Sequence, residues 1–360
     1  MVTRKLLCLV LLCSGYALSQ VAPLTLPPEH AMAALETKAR SGDLEAELEL
    51  AHAYEEGKGV QQNDVLAAQW CRRAAEHGSA EAQSKLGIMY RLGLGVEKDY
   101  VEAVKWYQKA ARQGYPAAMF NLGTAYYNGD GVAVDDVAAY AWFALAAQAG
   151  NPPATEALKR STSALSPALL HDARARLATM LEKGEEVKAD VAQAARIFQD
   201  LADHGDTQAQ VHVANLYAHG RGVEKDYTAA WRYCQKAAHK RDVDGLYCVA
   251  YLQQNGIGVP ADPKAAAKGY EKAAEAGSSR SMYRLGIMYA QGVGVPQDSK
   301  VAYRWLWQAN ASGLPQAAAE LGAVRANLTP KQIKEAEADA RKWMAKHRGF
   351  PLHIRDKTSE

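Results

Sequence analysis

The six residues Gly-Val-Glu-Lys-Asp-Tyr occur at 95–100 and again at 222–227 of this 360-residue chain. Glycines mark a regular spacing around both copies. One series consists of Gly42, Gly78, Gly114, Gly150, Gly205, Gly277 and Gly313. Successive members are separated by 36 residues or a multiple of 36, except for Gly150 and Gly205. A second series follows the same rule and consists of Gly57, Gly93, Gly129, Gly184, Gly220, Gly256 and Gly292. A fixed period of this length is typical of repeat architectures, so the phrase belongs to a 36-residue unit that occurs seven times.

Each unit has the pattern of two helices joined by a turn. Ala82, Leu86 and Met89 are spaced by four and three residues and form one face of a helix. Gly93 and Gly95 follow, and glycine adopts the left-handed conformation of a helix C-cap without a side-chain clash. A side chain that accepts hydrogen bonds precedes the second helix in every unit: Asn63, Asp99, Asp135, Asp190, Asp226, Asp262 and Asp298. Each such N-cap contributes about 1 kcal/mol, so the pattern predicts a helix–turn–helix unit.

The residues from Ala82 through Leu86, Tyr90 and Gly95 to Gly114 resemble the Sel-one-like repeat, a relative of the tetratricopeptide repeat. The resemblance covers about Asp43–Gly313. It implies a right-handed superhelix of antiparallel helix pairs that serves as a protein-interaction scaffold. We therefore expect an all-α fold, an α/α superhelical solenoid of seven 36-residue helix–turn–helix repeats in two sub-arrays with a C-terminal capping helix.

An insert interrupts the period between Gly150 and Gly205. Leu165-Ser166-Pro167 near its end matches Leu328-Thr329-Pro330 in the C-terminal segment, and both Ser166 and Thr329 have the pattern of an N-cap followed by proline. The predicted organisation is an N-terminal helix with three repeats (29–150), an insert or internal cap (151–169), four repeats with the first degenerate (170–313), a C-terminal cap (314–347) and a flexible tail (348–360). We expect a kink near residues 150–170; a continuous array with a bulged loop is the alternative.

The N-terminus has the pattern of a secretory signal peptide. Arg4 and Lys5 precede the apolar run Leu6–Leu12, and the small residues Ala17 and Ser19 are spaced for cleavage after Ser19. The sequence thus predicts a signal peptide (1–19), an extended leader (20–28) and a periplasmic or secreted mature chain without a transmembrane segment. An uncleaved membrane anchor is the alternative. The net charge of +2, with acidic and basic residues interspersed, gives no sign of nucleic-acid binding.

Motifs for catalysis or cofactor binding are missing from the sequence. It has no H-E-x-x-H, no G-x-S-x-G, no phosphate-binding glycine loop and no paired C-x-x-C. His212 and His219 share one helical face, but two histidines without a third close ligand do not predict a metal site. We therefore expect no catalytic residues, no metal and no cofactor. An envelope hydrolase that acts on cell-wall material or β-lactams remains the alternative function.

Three cysteines lie outside the predicted signal peptide. Cys234 and Cys248 are each seven residues from Arg241, at the junction of two helices, and equal distances from a short turn place residues at equal height. A disulfide there would stabilise the chain by about 3 kcal/mol in an oxidising compartment. Two buried thiols are the alternative. Cys71 has Lys85 where a partner would be, so we expect it to stay unpaired.

A partner surface is expected on the first helices of the repeats. In related helical-repeat scaffolds these helices line the concave surface, and this implication applies to the positions that vary between repeats. Those positions hold the candidate residues Phe120, Thr124, Tyr127, Tyr247, Tyr251, Gln254, Tyr283 and Ile287. Tyrosine suits binding because it couples an apolar face to a hydroxyl. We expect a groove that binds a peptide or helix of a cell-envelope protein; packing between repeats is the alternative role of these residues.

Overall fold

The computed structural model describes residues 29–347, with side chains from Met32 onward. The predicted signal peptide (1–19), leader (20–28) and tail (348–360) lie outside the described residues. Within 29–347 the chain forms α-helices and no strand. The helices are α1 (Glu29–Arg40), α2 (Leu44–Glu56), α3 (Asp64–Glu76), α4 (Ala80–Leu92), α5 (Tyr100–Arg112), α6 (Pro116–Asn128), α7 (Asp136–Gln148), α8 (Pro152–Ala164), α9 (Pro167–Lys183), α10 (Val191–Asp203), α11 (Thr207–His219), α12 (Tyr227–His239), α13 (Val243–Asn255), α14 (Pro263–Glu275), α15 (Ser279–Gln291), α16 (Ser299–Ala311), α17 (Gln316–Arg325) and α18 (Pro330–Lys346).

The helices follow the 36-residue period. Each repeat consists of a first helix and a second helix. The pairs that lie within one unit pack extensively: α2 with α3, α4 with α5, α6 with α7, α11 with α12, α13 with α14 and α15 with α16. The fourth repeat is formed by α9 and α10. The all-α solenoid of seven helix–turn–helix repeats predicted from the sequence is confirmed.

The turn within a repeat is closed by hydrogen bonds at both ends. Each first helix ends at a glycine in the left-handed conformation, such as Gly93 with φ 76°. The Asp99 backbone N–H donates to the Tyr90 carbonyl at 2.9 Å, and the Asp99 carboxylate accepts from the Glu102 N–H at 3.0 Å. The same side-chain cap forms at Asn63, Asp135, Asp226, Asp262 and Asp298. The sequence pattern therefore identified the start of these second helices correctly.

The second glycine of the turn allows neighbouring repeats to stack. A Cβ atom on Gly95 would lie 1.9 Å from the Asp64 carbonyl oxygen, at the start of the preceding second helix. Gly131 would meet the Tyr100 carbonyl oxygen at 2.3 Å in the same way. Only glycine permits this backbone approach. The fourth repeat departs from this pattern: Glu186 occupies the position of the second glycine.

The segments with the matching Leu-Ser-Pro and Leu-Thr-Pro sequences pack alike. α8 of the insert and α9, which begins at its end, both contact α7; at the C-terminus, α17 and α18 both contact α16. Ser166 and Thr329 cap α9 and α18, each with proline in the first turn. The insert thus repeats the packing of the C-terminal segment.

The chain divides into two compact units, Met1–Asp190 and Val191–Glu360, called unit 1 and unit 2 below. In unit 1, Cys71, Leu86 and Trp106 belong to one buried cluster. In unit 2, Tyr270 and Trp305 belong to one buried cluster. The domain boundaries expected from the sequence stay a prediction.

Candidate protein-binding surface

Two tyrosines stand one turn apart on α13. The rings of Tyr247 and Tyr251 are stacked with centroids 6.1 Å apart. The centroids of the Tyr247 and Tyr270 rings are 5.7 Å apart, and Tyr270, on α14, is fully buried. Both α13 tyrosines are half-buried and border the unit 2 core. The pair therefore packs against buried residues of unit 2, while part of each tyrosine stays exposed.

Two arginines of α15 complete the surface. Arg280 lies over the Tyr247 ring at 4.8 Å, and Arg284 lies over the Tyr251 ring at 5.3 Å. An arginine over an aromatic face is attracted by the negative charge density of the ring. Arg280 also forms an ion pair with Asp244 of α13. Tyr247, Tyr251, Arg280 and Arg284 are called the tyrosine–arginine surface below.

Neighbouring tyrosines stabilise the positive charge of Arg284. Burial by itself lowers the pKa of its guanidinium, but the Tyr247 hydroxyl, followed by Tyr270 and Tyr251, more than offsets this and keeps the pKa above its usual value. Burial raises the pKa of Tyr270, whose hydroxyl donates to Gln254 Oε1 at 2.8 Å. Arg284 is thus a permanent cation among tyrosines, while Gln254 is occupied with a partner inside the protein.

The two candidate residues of α15 face the C-terminal helices. Tyr283 and Ile287 are half-buried and pack against a cluster that includes Tyr303 and Leu306 of α16. Tyr283 also borders the cluster around Tyr270. Much of their surface is therefore used for packing inside unit 2.

The three candidate residues of unit 1 are in a different setting. The Phe120 ring lies 5.8 Å from the ring of Phe143 on α7. Phe120 and Tyr127 both pack against a cluster that contains Phe143 and Ala157 of α8. The Thr124 hydroxyl donates to the Phe120 carbonyl of its own helix at 3.0 Å. The structure brings Phe120 and Tyr127 against α8 of the insert.

Sequence reasoning missed Arg280 and Arg284. The variable positions along one first helix do not show which side chain of the next repeat lies over them. A signal was available, because Arg284 occupies the repeat position that holds Lys85 in α4 and Arg176 in α9. An arginine or lysine at this repeat position, combined with an aromatic residue on the first helix of the preceding repeat, indicates a contact like that of Arg284 with Tyr251.

The cysteines are arranged differently in the two units. The Cys234 and Cys248 sulfur atoms are bonded, with Cα atoms 5.7 Å apart, and join α12 to α13. Cys71 is a buried free thiol whose S–H donates to the Ala82 carbonyl at 3.3 Å. Burial raises the pKa of Cys71 to about 12, so the thiol is unreactive at neutral pH. Lys85 forms an ion pair with Glu55.

The two histidines considered as metal ligands have other contacts. The His212 ring lies 4.3 Å from the Phe198 ring, and His219 Nδ1 is 2.9 Å from the Asn215 carbonyl. Within residues 29–347 no three His, Cys, Asp or Glu side chains are arranged to hold a metal ion. Over the same part of the chain, every helix is too short or too polar to cross a lipid bilayer.

The fold and the exposed aromatic surface are those of an α-helical repeat protein. The model of the Sel1 repeat matches the chain at 44–79, 80–115, 116–151, 171–206, 207–242, 243–278 and 279–314. The chain belongs to the Sel1 repeat family, whose members act as protein-interaction scaffolds. No curated protein sequence matches the chain.

Solved structures with similarity to the chain include three bacterial proteins. A Sel1 repeat protein from Oxalobacter formigenes is 27% identical, with 89% of this chain and 92% of that chain covered and a TM-score of 0.45. A protective antigen of uropathogenic Escherichia coli with an SLR fold is 25% identical, with coverages of 88% and 95% and a TM-score of 0.33. A sel1 repeat protein of Klebsiella pneumoniae is 19% identical, with coverages of 62% and 99% and a TM-score of 0.31.

Proposed function

We propose that the protein is an exported, non-catalytic scaffold that binds a peptide or protein of the cell envelope on the first helices of unit 2. The observation that carries the proposal is the tyrosine–arginine surface. The Tyr247 ring packs against Tyr270, the Tyr251 ring stacks on Tyr247, and an arginine lies over each of them. A rigid aromatic pair loses little conformational freedom on binding, which is why tyrosine and arginine dominate the energetics of protein interfaces.

The chemistry of this surface supports binding without catalysis. The nearby carboxylate of Asp244 is paired with Arg280, and Gln254 already accepts a hydrogen bond from Tyr270. General acid–base catalysis requires a positioned group whose pKa lies near the working pH. The pKa values of Arg284 and Tyr270 are instead shifted further from neutrality. These groups can hold a ligand but are poorly suited to transferring a proton.

Two features support export. The N-terminal residues have the charge and apolar pattern of a secretory signal. A disulfide between Cys234 and Cys248 is stable in an oxidising compartment such as the periplasm. Cleavage after Ser19 would be seen directly by N-terminal sequencing of the mature protein.

The proposal is tested by chemical crosslinking and pull-down from an envelope extract. The double variant Tyr247→Ala/Tyr251→Ala should lose the captured partner while its thermal unfolding midpoint changes little. Tyr227→Ala is the matched control, because Tyr227 is an exposed tyrosine of unit 2 with Lys225 over its ring. Equal capture by the wild type, the double variant and the control would contradict the proposal.

The lack of catalysis is tested separately. The purified protein is incubated with nitrocefin and with peptidoglycan, and product is measured against protein concentration. We expect no product beyond the amount of protein present. Turnover above that stoichiometry would show an enzyme and overturn the non-catalytic part of the proposal.

A further inference from the structure

Three of the seven first helices carry a lysine or arginine at the same repeat position. Counted from the start of the repeats at 80, 171 and 279, this position holds Lys85 in α4, Arg176 in α9 and Arg284 in α15. Lys85 forms an ion pair with Glu55 of the preceding repeat. Arg176 lies 3.8 Å from the carboxylate of Glu186. In these two cases the chain supplies its own acidic partner.

Arg284 differs from both. Within residues 29–347 no carboxylate lies within ion-pair distance of it; its close neighbours are Tyr247, Tyr251 and Tyr270. The neighbouring Arg280 is neutralised by Asp244. The tyrosine–arginine surface therefore carries one uncompensated positive charge at a half-buried position.

The guanidinium of Arg284 is also oriented. It lies over the Tyr251 face and close to the Tyr247 hydroxyl, so part of its conformational freedom is already lost. A guanidinium presents five N–H donors in a planar fork that matches the two oxygens of a carboxylate. Partial burial strengthens such a pair because water screens it less. The tyrosine rings beside it offer apolar area to neighbouring residues of a ligand.

We infer that the tyrosine–arginine surface binds an acidic peptide segment, with an Asp or Glu carboxylate of the partner on the Arg284 guanidinium and an adjacent apolar side chain on the Tyr247 and Tyr251 rings. This inference rests on the proposed function and adds the chemistry of the partner. Arg280 keeps Asp244 as its own partner and holds Tyr247 in place.

The test measures binding of a short fluorescein-labelled peptide of alternating glutamate and leucine to the full chain by fluorescence anisotropy. A glutamine–leucine peptide of the same length should bind at least about tenfold more weakly, as expected for losing a hydrogen-bonded charge pair. The affinity for the glutamate peptide should fall as salt concentration rises.

Variants assign the effect to Arg284. Arg284→Gln should weaken binding of the glutamate peptide about tenfold. Arg284→Lys should also weaken it, because lysine keeps the charge but not the planar fork. Lys268→Gln is the control: it removes the same charge from an exposed position on α14 and should leave affinity unchanged. Thermal unfolding of each variant shows whether it is folded. If Arg284→Gln does not fold, the affinity of Arg284→Lys for the glutamate peptide tests the inference.

Several results would overturn the inference: equal affinity for the glutamate and glutamine peptides, equal affinity of the Arg284→Lys variant and the wild type, or tighter Arg284-dependent binding of a phosphoserine peptide. Pull-down from the envelope extract separates this failure from that of the proposed function. Capture that requires Tyr247 and Tyr251 but not Arg284 would leave the scaffold proposal standing and remove the acidic partner. Capture that requires none of the three would remove both.

Discussion

Helices α6 and α13 present the same three repeat positions and use them differently. In α6 these positions hold Phe120, Thr124 and Tyr127; in α13 they hold Tyr247 and Tyr251, followed by Gln254. The aromatic residues of α6 pack against an apolar cluster formed with α7 and α8. The tyrosines of α13 border the unit 2 core as well, but arginine side chains of α15 lie over their rings.

The difference arises from the segment that comes next along the chain in each unit. After α6 and α7 the insert supplies α8, whose Ala157 and Leu158 pack with Phe120 and Tyr127. After α13 and α14 the next repeat supplies α15 in the regular register, with charged residues next to α13. We expect the same repeat position to serve packing where a capping segment covers it and binding where another repeat is stacked on it. Under the proposed function, Phe120 serves packing and Tyr251 serves binding.

The largest expected effect concerns how α13 is held. Cys248 ties it covalently to α12, whereas α6 has Asn121 at the corresponding position. The double variant Cys234→Ala/Cys248→Ala should lose about 3 kcal/mol of unfolding free energy, because a cross-link over a short loop restricts the unfolded chain. Urea unfolding measures the loss. Reductant should destabilise the wild type and leave the double variant unchanged. Destabilisation of both would show that the effect does not come from this disulfide.

The next effect compares the aromatic residues directly. Phe120→Ala should destabilise unit 1 by about 2 kcal/mol, since it opens a cavity beside Phe143. Tyr251→Ala should cost unit 2 less, about 1 kcal/mol, because its half-buried ring borders the core while an arginine side chain lies over it. Thermal unfolding of the two variants gives the comparison. Equal losses would mean that both helices use these positions for packing.

A smaller effect tests the contact behind Phe120. Gly123 of α6 lies so close to Phe143 that a Cβ atom would be 2.5 Å from its ring, and α13 has Ala250 at this position. Gly123→Ala should therefore destabilise the chain by about 1 kcal/mol, as overpacking exceeds the gain in helix propensity. Gly322→Ala in α17, where a Cβ atom would meet nothing within 4 Å, is the control and should stabilise slightly. Stabilisation by both substitutions would refute the close contact.

The smallest effect lies at the junctions that precede the two helices. Gly114 before α6 has φ 84°, whereas Arg241 before α13 has φ 60° and is the one non-glycine residue with positive φ within 29–347. Arg241→Gly should stabilise the chain by up to about 1 kcal/mol by relieving this conformation. The change is read from the unfolding midpoint with the disulfide intact. A lower midpoint would show that the arginine side chain contributes more than the strain costs.

The sequence predicted the repeat architecture because the period, the N-caps and the turn glycines are local signals that recur seven times. Arg241 shows the strength of the period, since its φ follows the glycine pattern in spite of its side chain. The setting of each candidate residue could not be predicted in the same way. Whether Phe120 or Tyr251 is covered depends on the packing of α8 and on the orientation of Arg284, and neither can be deduced from the residues of one helix.

The most direct test of the central claim uses site-specific photo-crosslinking in the envelope extract. Tyr251, and in a separate variant Tyr127, is replaced by a photoreactive phenylalanine analogue, and irradiated samples are examined for adducts of higher mass. The account predicts a discrete partner adduct from position 251 and none from position 127. Adducts of equal yield from both positions, or an adduct from position 127 alone, would contradict it.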